Sequence, residues 1–158
     1  WLSRVSASRV TLPTEARWER AARGDDSRTY PWRGDDSRTY PWGDEAPTPQ
    51  RAVFGRAPLA AVGGRPAGAG PYGTQDQAGN VWEWCQDVWE DHYPAVSGVD
   101  VDPCRLSTHD SAAPRVVRGG SWVRDSRPLR AANRDMWPPD AQDDRLGFRV
   151  CVLREPGP

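Results

Sequence analysis

The stretch RGGSWVRDSRPLRAANRDMWPPDAQDDRLGFRVCV, residues 118–152, consists of two strand-like ends and an irregular polar segment between them. Strands are predicted at both ends, in RVVRGGSW from residue 115 and in LGFRVCVL from residue 146. Both runs are rich in β-branched and aromatic residues and lie beside turn residues. Residues 123–145 between them are dominated by Arg, Asp and Pro. A polar segment that is framed in this way is typical either of a catalytic loop or of a surface presented to a ligand.

The composition favours one loop-rich domain over residues 1–158. Gly (15) and Pro (16) make up about a fifth of the 158 residues, so little regular structure is expected. The 21 basic side chains are all Arg and nearly balance 22 acidic ones, which predicts neither a nucleic-acid partner nor a membrane partner. The absence of Lys excludes Schiff-base chemistry by a lysine. No apolar run reaches the ~20 residues that span a bilayer.

One helix is predicted near the start of the chain, in TLPTEARWERAARG at residues 11–24. Thr14 is a candidate N-cap, because its hydroxyl can accept a hydrogen bond from a backbone N–H of the first turn. Gly24 is the candidate glycine that ends the helix. Trp18, Ala21 and Ala22 share one face at helical spacing, so we expect this face to be buried.

A tandem repeat follows the helix: RGDDSRTYPW occupies residues 23–32 and again 33–42. Two copies are too few for a solenoid. We interpret the second copy as a duplication that lengthens a surface loop, which a chain tolerates at little cost in free energy. The last residues, 154–158, are expected to form a frayed tail.

Cysteine usage and the arginine bias indicate a cytoplasmic bacterial protein. Cys85, Cys104 and Cys151 are too few for a disulfide framework and lack the spacing of a zinc site. Free thiols are typical of a reducing compartment, although the sequence leaves open whether two of the three form a disulfide. The first residues have no apolar core of a signal peptide, and Arg in place of Lys is typical of a GC-rich genome.

Six motifs occur along the chain in a fixed order: LPTEARWERAARG, YPWGDE, GNVWEWCQDVW, RVVRGGSW, LRAANR and GFRV. In this order, and over nearly the whole chain, the sequence resembles the formylglycine-generating enzyme family, also called the sulfatase-modifying factor family. The resemblance implies an α+β, C-type-lectin-like fold with long loops and little regular structure. Because the family domain normally begins well before LPTEA, we expect residues 1–158 to correspond to its C-terminal part, with the N-terminal part absent or shortened.

The resemblance implies several possible activities. Formylglycine generators oxidise a sulfatase cysteine with a copper-binding cysteine pair, which lies just after the GGS motif. After Gly119, Gly120 and Ser121 no cysteine follows until Cys151, so we expect no copper and favour a module without catalytic activity. Two alternatives stay open. One is a sulfatase-modifying or other family oxidase whose missing half supplies the catalytic groups. The other is the variable protein of a diversity-generating retroelement.

Residues 123–145 are the predicted presented surface, and its ligand would be a protein or a small molecule. Binding hot spots are rich in Arg and Trp, so the candidate contact residues are Arg124, Arg127, Arg134, Trp137 and Arg145. The alternative is an ordinary solvated loop. The frame is expected to be closely packed: Gly119 and Gly120 allow close backbone approach, and the residues expected inside are Trp122, Leu129, Ala131, Phe148 and Val150.

The resemblance also implies a structural calcium site around GNVWE. Its ligands would be the Asp76 side chain, the backbone carbonyls of Gly79 and Val81, and the Glu83 carboxylate. Oxygen donors that include two carboxylates suit a hard cation. The alternative is that Glu83 forms a salt bridge with an arginine.

Overall fold

The computed structural model describes residues 3–4, 8–24, 38–91, 104, 106 and 111–153. Residues 25–37 of the repeat and the predicted tail lie outside the described residues. In chain order the elements are β1 (Arg9–Thr11), α1 (Glu15–Arg23), β2 (Trp82–Val88), β3 (Arg115–Arg118), β4 (Arg134–Trp137), β5 (Leu146–Gly147) and β6 (Cys151–Leu153). Two short 3-10 helices span Pro66–Gly68 and Arg127–Leu129.

Helix α1 begins and ends where its capping residues predict. The Thr14 hydroxyl accepts a hydrogen bond from the N–H of Arg17 at 3.1 Å. Gly24 follows the last turn with φ 90°, a conformation that costs glycine little, and its N–H donates to the carbonyl of Arg20. Trp18 and Ala22 are buried as expected. Ala21 is only partly buried, and the buried face also carries Glu15, Glu19 and Arg23. The buried face of the helix is therefore part apolar and part charged.

A four-stranded sheet in the order β4-β3-β2-β5 forms the centre of the fold. Strand β3 is antiparallel to β2 and β4, whereas β5 runs parallel to β2. Strands β1 and β6 form a separate antiparallel ribbon, and α1 packs against β2 and β3. The predicted α+β class is confirmed, and the two strands that were expected to frame the polar segment are β3 and the pair β5 and β6.

Strand β4 lies inside the segment that the sequence predicted to be irregular. It pairs with β3 in register, from Arg118 opposite Arg134 to Arg115 opposite Trp137. The prediction of an irregular segment over residues 123–145 is therefore wrong for these four residues. Pro138 follows directly, and because proline has no N–H to donate to a ladder, the strand ends there.

Among the described residues, buried apolar side chains pack into two clusters. Trp18, Ala22, Cys85, Val116 and Ala131 form the first cluster, between α1 and the sheet. The second contains Ala52, Ala78 and Leu129, flanked by Tyr40, Trp42 and Phe54.

The end of the second repeat copy belongs to this core. Pro41 is fully buried, and the rings of Tyr40 and Trp42 stack with centroids 5.1 Å apart. Both rings also pack against the second cluster. The prediction of a surface loop is therefore wrong for residues 40–42. These residues are the large apolar groups of the second copy, and they pack against the core.

The frame around the presented segment is closely packed where it follows β3. Gly119 and Gly120 have φ 97° and 76°, and a Cβ atom on Gly120 would lie 3.0 Å from the carbonyl oxygen of Pro128. This confirms the close backbone approach that was predicted for both glycines. Leu129 and Ala131 are fully buried, as predicted, so the segment is pinned to the core at its middle.

The frame is open at its other end. Phe148 and Val150 were predicted to lie inside, but they are 67% and 44% exposed, so this prediction is wrong. Successive side chains of an extended chain point to opposite faces, and the inward positions are taken by Arg149 and Cys151, which bond to Glu83 and to the carbonyl of Leu12. Trp122 is only partly buried. The core here is therefore built on an ion pair instead of on apolar side chains.

Candidate functional site

A network of buried charges lies beneath the presented segment. Arg118 is fully buried and donates to Glu15 at 3.1 Å, to Glu19 at 2.7 Å and to the carbonyl of Ala131 at 2.8 Å. Its guanidinium also lies 5.2 Å from the centre of the Trp18 ring. Buried charges are tolerated only when they are paired and hydrogen-bonded. The network therefore ties α1, β3 and the loop after Leu129 together.

Arg134, a predicted contact residue, belongs to this network. It donates from Nε and Nη2 to the two oxygens of Glu15 at 2.6 and 2.9 Å. Its guanidinium stacks 4.5 Å from the centre of the Trp89 ring, and its side chain is only 16% exposed. Arg134 thus stabilises the fold through Glu15 and Trp89. Its predicted contact with a ligand stays a prediction.

Arg124 and Arg127 lie on the exposed turn after Trp122. The side chain of Arg127 is 89% exposed and donates to Asp125 from Nε and Nη2 at 3.1 and 2.9 Å. These hydrogen bonds lower the pKa of Asp125 and raise that of Arg127. Arg124 is exposed and has no salt-bridge partner among the described residues. The turn therefore exposes two guanidinium groups to solvent. That of Arg127 is held by Asp125, and that of Arg124 has no salt bridge to a described residue.

Trp137 and Arg145 meet at the far end of the presented segment. The guanidinium of Arg145 lies 5.2 Å from the centre of the Trp137 ring. Asp143 accepts from the Nε of Arg145 at 2.6 Å and from its backbone N–H at 2.8 Å. The side-chain hydrogen bond from Arg145 is the main reason why the pKa of Asp143 falls to about 2. This corner holds an aromatic ring and a cation in a fixed arrangement.

The two aspartates that clamp these arginines were not predicted from the sequence. Asp125 precedes Arg127 by two residues, and Asp143 precedes Arg145 by two residues. In both pairs the carboxylate accepts from the backbone N–H of the arginine and from its guanidinium. An Asp two residues before an Arg in a turn is a local signal that could have identified both pairs, since aspartate commonly bonds the backbone two residues on.

The predicted calcium ligands lie around a tightly bonded carboxylate. Glu83 is buried and accepts from Arg149 at both oxygens, at 2.6 Å each, and from the indole N–H of Trp18 at 2.6 Å. Asp76 accepts from the N–H of Gly63 at 2.6 Å. Burial alone would lower the pKa of Arg149, but the hydrogen bonds and charge of Glu83 outweigh it and raise that pKa.

A calcium ion on Glu83 would therefore compete with Arg149, because the guanidinium already donates to both carboxylate oxygens. The ion pair agrees with the alternative that was left open for Glu83. The calcium set of Asp76, the Gly79 and Val81 carbonyls and Glu83 stays a prediction.

In the part of the chain that the structure describes, no helix is long and apolar enough to cross a membrane.

The cysteines do not assemble into a pair near the GGS motif. Cys85 is buried in the first core cluster, and burial raises the pKa of its thiol well above the ordinary value. Cys151 lies on β6 beside the carbonyl of Leu12. None of the three cysteines forms a disulfide, and residues 121–150 contain no cysteine. A thiol whose pKa is raised by burial is a poor nucleophile and a poor metal ligand.

Taken together, the central mixed sheet, the short helix and the long loops define an α+β fold of the C-type-lectin-like class. Residues 1–154 match the model of the Sulfatase-modifying factor enzyme 1-like domain, and the chain belongs to this family. Among solved structures, PvdO from Pseudomonas aeruginosa is similar with a TM-score of 0.73 at 26% identity, over 96% of this chain and 56% of that one. Treponema denticola variable protein 1 is similar with a TM-score of 0.63 at 28% identity, over 90% and 47%.

The curated relatives carry different functional names. A formylglycine-generating enzyme from Streptomyces coelicolor is 42% identical in an alignment of 152 positions that covers 89% of this chain and 46% of that protein. A hercynine oxygenase from Mycolicibacterium thermoresistibile is 36% identical over 89% of this chain and 31% of its own length. The mouse inactive C-alpha-formylglycine-generating enzyme 2 is 35% identical over 89% and 42%. The chain thus spans less than half the length of these relatives.

Proposed function

We propose that this domain is a non-catalytic ligand-binding module, with residues 123–145 as its presented surface. The observation that carries the proposal is the contrast within this segment. Leu129 and Ala131 are fully buried, whereas Arg124 and Arg127 on the preceding turn are exposed. A segment that is anchored at its middle and exposed on both sides of the anchor can vary its contact residues without loss of the core.

Two similarities support a binding role. A structural neighbour at 28% identity carries the name variable protein 1, and a curated relative at 35% identity is named inactive. Members of this fold and family therefore include proteins that are not named as active enzymes. The same neighbour supports the narrower alternative that this chain is the variable protein of a diversity-generating retroelement.

A second candidate function is oxidation of a sulfatase cysteine, because a formylglycine-generating enzyme is 42% identical. One observation favours it. The hydroxyl of Ser121 and the indole N–H of Trp122 are buried without a hydrogen-bond partner among the described residues. Unpaired buried polar groups cost free energy and are frequent where a site binds a polar molecule. The positions of the cysteines argue against this candidate, because none lies between Trp122 and β6 in the sequence.

The proposal is tested with a library that randomises residues 123–127 and 138–145 and leaves β4 unchanged. We expect most variants to remain soluble and to melt cooperatively, and selection against a chosen protein target to yield binders. A matched library at Val116, Leu129 and Ala131 should fail to fold, because truncating or overfilling buried positions costs several kcal/mol, roughly 2–5. If the first library unfolds as often as the second, the segment is core or active site and the proposal is wrong.

A further inference from the structure

Four exposed arginines occur on two neighbouring segments at one end of the presented surface. Arg124, Arg127 and Arg130 belong to the turn and the short 3-10 helix after Trp122, and Arg56 belongs to a separate loop that meets this turn. We call these four residues the basic patch. Arg56, Arg124 and Arg130 have no salt-bridge partner among the described residues, whereas Arg127 is paired with Asp125. Three of the four guanidinium groups are therefore available to a ligand.

Backbone hydrogen bonds fix the Arg56 loop against the turn. The N–H of Gly55 donates to the carbonyl of Arg124, and the N–H of Arg56 donates to the carbonyl of Trp122, each at 2.7 Å. The loop closes on itself through a bond from the N–H of Ala57 to the carbonyl of Phe54 at 3.2 Å. Two segments that are distant in the sequence thus lie side by side, and both carry exposed arginines.

Arg56 occupies a backbone conformation that a side chain disfavours. Its φ is 67°, and that of Gly55 is also 67°. Two successive residues with positive φ define a tight turn in which Asn, Asp or Gly is the usual choice. Arginine in the left-handed region is strained, and such strain at a surface position suggests a functional constraint on the side chain. Glycine at residue 56 would serve the fold equally well but would remove the guanidinium.

The charges of the presented surface are separated along its length. Residues 124–130 contain Arg124, Arg127 and Arg130 against Asp125, whereas residues 135–145 contain four aspartates against Arg145. The basic patch is therefore followed by an acidic stretch. A long uniform polyanion such as nucleic acid would be repelled by that stretch. A short acidic segment of a peptide, whose charge is local, fits the basic patch alone.

We infer that the basic patch binds an acidic peptide segment of a partner protein, with Arg56 and Arg124 as its main contacts. The inference rests on the proposed binding function and names the class of ligand for one end of the surface. Guanidinium forks bind carboxylates with paired hydrogen bonds. Because the patch is exposed, the interaction is expected to be weak and to lose strength with salt, since the Debye length is only about 8 Å at physiological ionic strength.

The test measures binding of a labelled oligoglutamate peptide by fluorescence anisotropy at low and physiological salt. Oligoglutamine of the same length is the uncharged control. Arg124→Gln should lower the affinity about two- to fivefold, the range for one exposed ion pair. Arg56→Gly should lower it by a similar factor, yet its Tm should equal or exceed that of the parent chain, because the left-handed strain is relieved. Arg9→Gln, an exposed arginine on β1, should change neither quantity.

Several results would overturn the inference: equal affinity for oligoglutamine, equal affinity for an oligothymidylate of the same charge, or unchanged binding in the Arg56→Gly and Arg124→Gln double variant. The proposed function would survive these results if the randomised library still folds and yields binders. Conversely, a library that unfolds would refute the presented surface, whatever the peptide result.

Discussion

At the residue scale, the pairing of Glu83 decides how the GNVWE motif is stabilised. Its carboxylate lies between Arg149 and the Trp18 indole, with three bonds of 2.6 Å. Removing one partner of a buried ion pair is strongly destabilising, since the remaining charge loses its compensation. The sequence showed a buried carboxylate that needs a partner, but it could not identify Arg149, which lies 66 residues away along the chain.

The proposed calcium site makes a prediction at the same residue. If calcium binds Asp76, Glu83 and the carbonyls of Gly79 and Val81, a chelator should lower the Tm, because an ion that binds only the native state adds stability. Asp76→Ala should abolish this response. Arg149→Gln should enlarge it, since calcium then no longer competes with the guanidinium for Glu83. Differential scanning calorimetry with and without calcium measures all three effects.

Coincident melting curves for the chelated and calcium-loaded parent chain would contradict the calcium site. In that case Arg149 alone neutralises Glu83. The Arg149→Gln variant keeps the test informative, because a calcium response that appears only in this variant would show that the ligand set is intact but occupied by the guanidinium.

At the scale of elements, β4 forms one edge of the sheet, and its sequence protects this edge from pairing with further strands. An edge strand presents unpaired N–H groups to which another strand can add. Strand β4 has four residues, and the N–H of Met136 is already bonded to the Asp135 side chain at 2.8 Å. Pro138 and Pro139 follow and have no N–H to offer. The edge of the sheet is therefore protected against pairing with a further strand. A ligand would contact side chains here and not the strand backbone.

The repeat makes a prediction at this scale. Deleting residues 33–42 joins the first RGDDSRTYPW to GDE and gives the same polypeptide as deleting residues 23–32. The remaining copy can thus supply Tyr, Pro and Trp to the core in place of residues 40–42. We expect the deletion to cost about 1 kcal/mol or less, whereas Trp42→Ala should cost about 2 kcal/mol, below the range for a fully buried Trp. Urea unfolding measures both.

The residues after each copy explain why the second copy occupies the core position. Gly43 has φ 130°, and Asp44 accepts from the N–H and hydroxyl of Thr39 at 2.8 and 2.9 Å. The first copy is followed by Arg33 and Gly34 at these positions, so it would lack both the glycine and the carboxylate. If the deletion unfolds the chain while Trp42→Ala is tolerated, this account of the repeat is wrong.

Local signals predicted α1 and the framing strands β3, β5 and β6, but they did not predict β1, β2 or β4. The caps of α1, the glycines after β3 and the framing strands follow from residue type and spacing. The exposure of Phe148 and Val150 did not follow, because a strand of alternating residues has two possible faces and only the partner of Arg149 selects between them. For the same reason the sequence could not show that Arg134 forms an ion pair with Glu15.

At the scale of the whole molecule, family membership alone does not determine the activity of this chain. The chain belongs to a family that includes formylglycine-generating enzymes. Its cysteines lie on β2, on β6 and at residue 104. Soft Cu(I) requires thiolates that converge on one ion. Cys85 is held in the first core cluster, where burial raises its thiol pKa well above the ordinary value. This distribution of cysteines is one reason why we propose a binding function for the described residues.

The last prediction concerns that activity. We expect the chain not to convert the cysteine of a sulfatase-motif peptide to formylglycine, with or without added copper, because residues 121–150 hold no cysteine. Mass spectrometry of the peptide measures the conversion, and the Streptomyces coelicolor relative serves as the positive control. If aldehyde forms and Cys151→Ser or Cys85→Ser abolishes it, the chain is an oxidase and the binding module is refuted. Aldehyde that persists in both serine variants would point to a contaminating activity, which a repeat with protein from a second purification would remove.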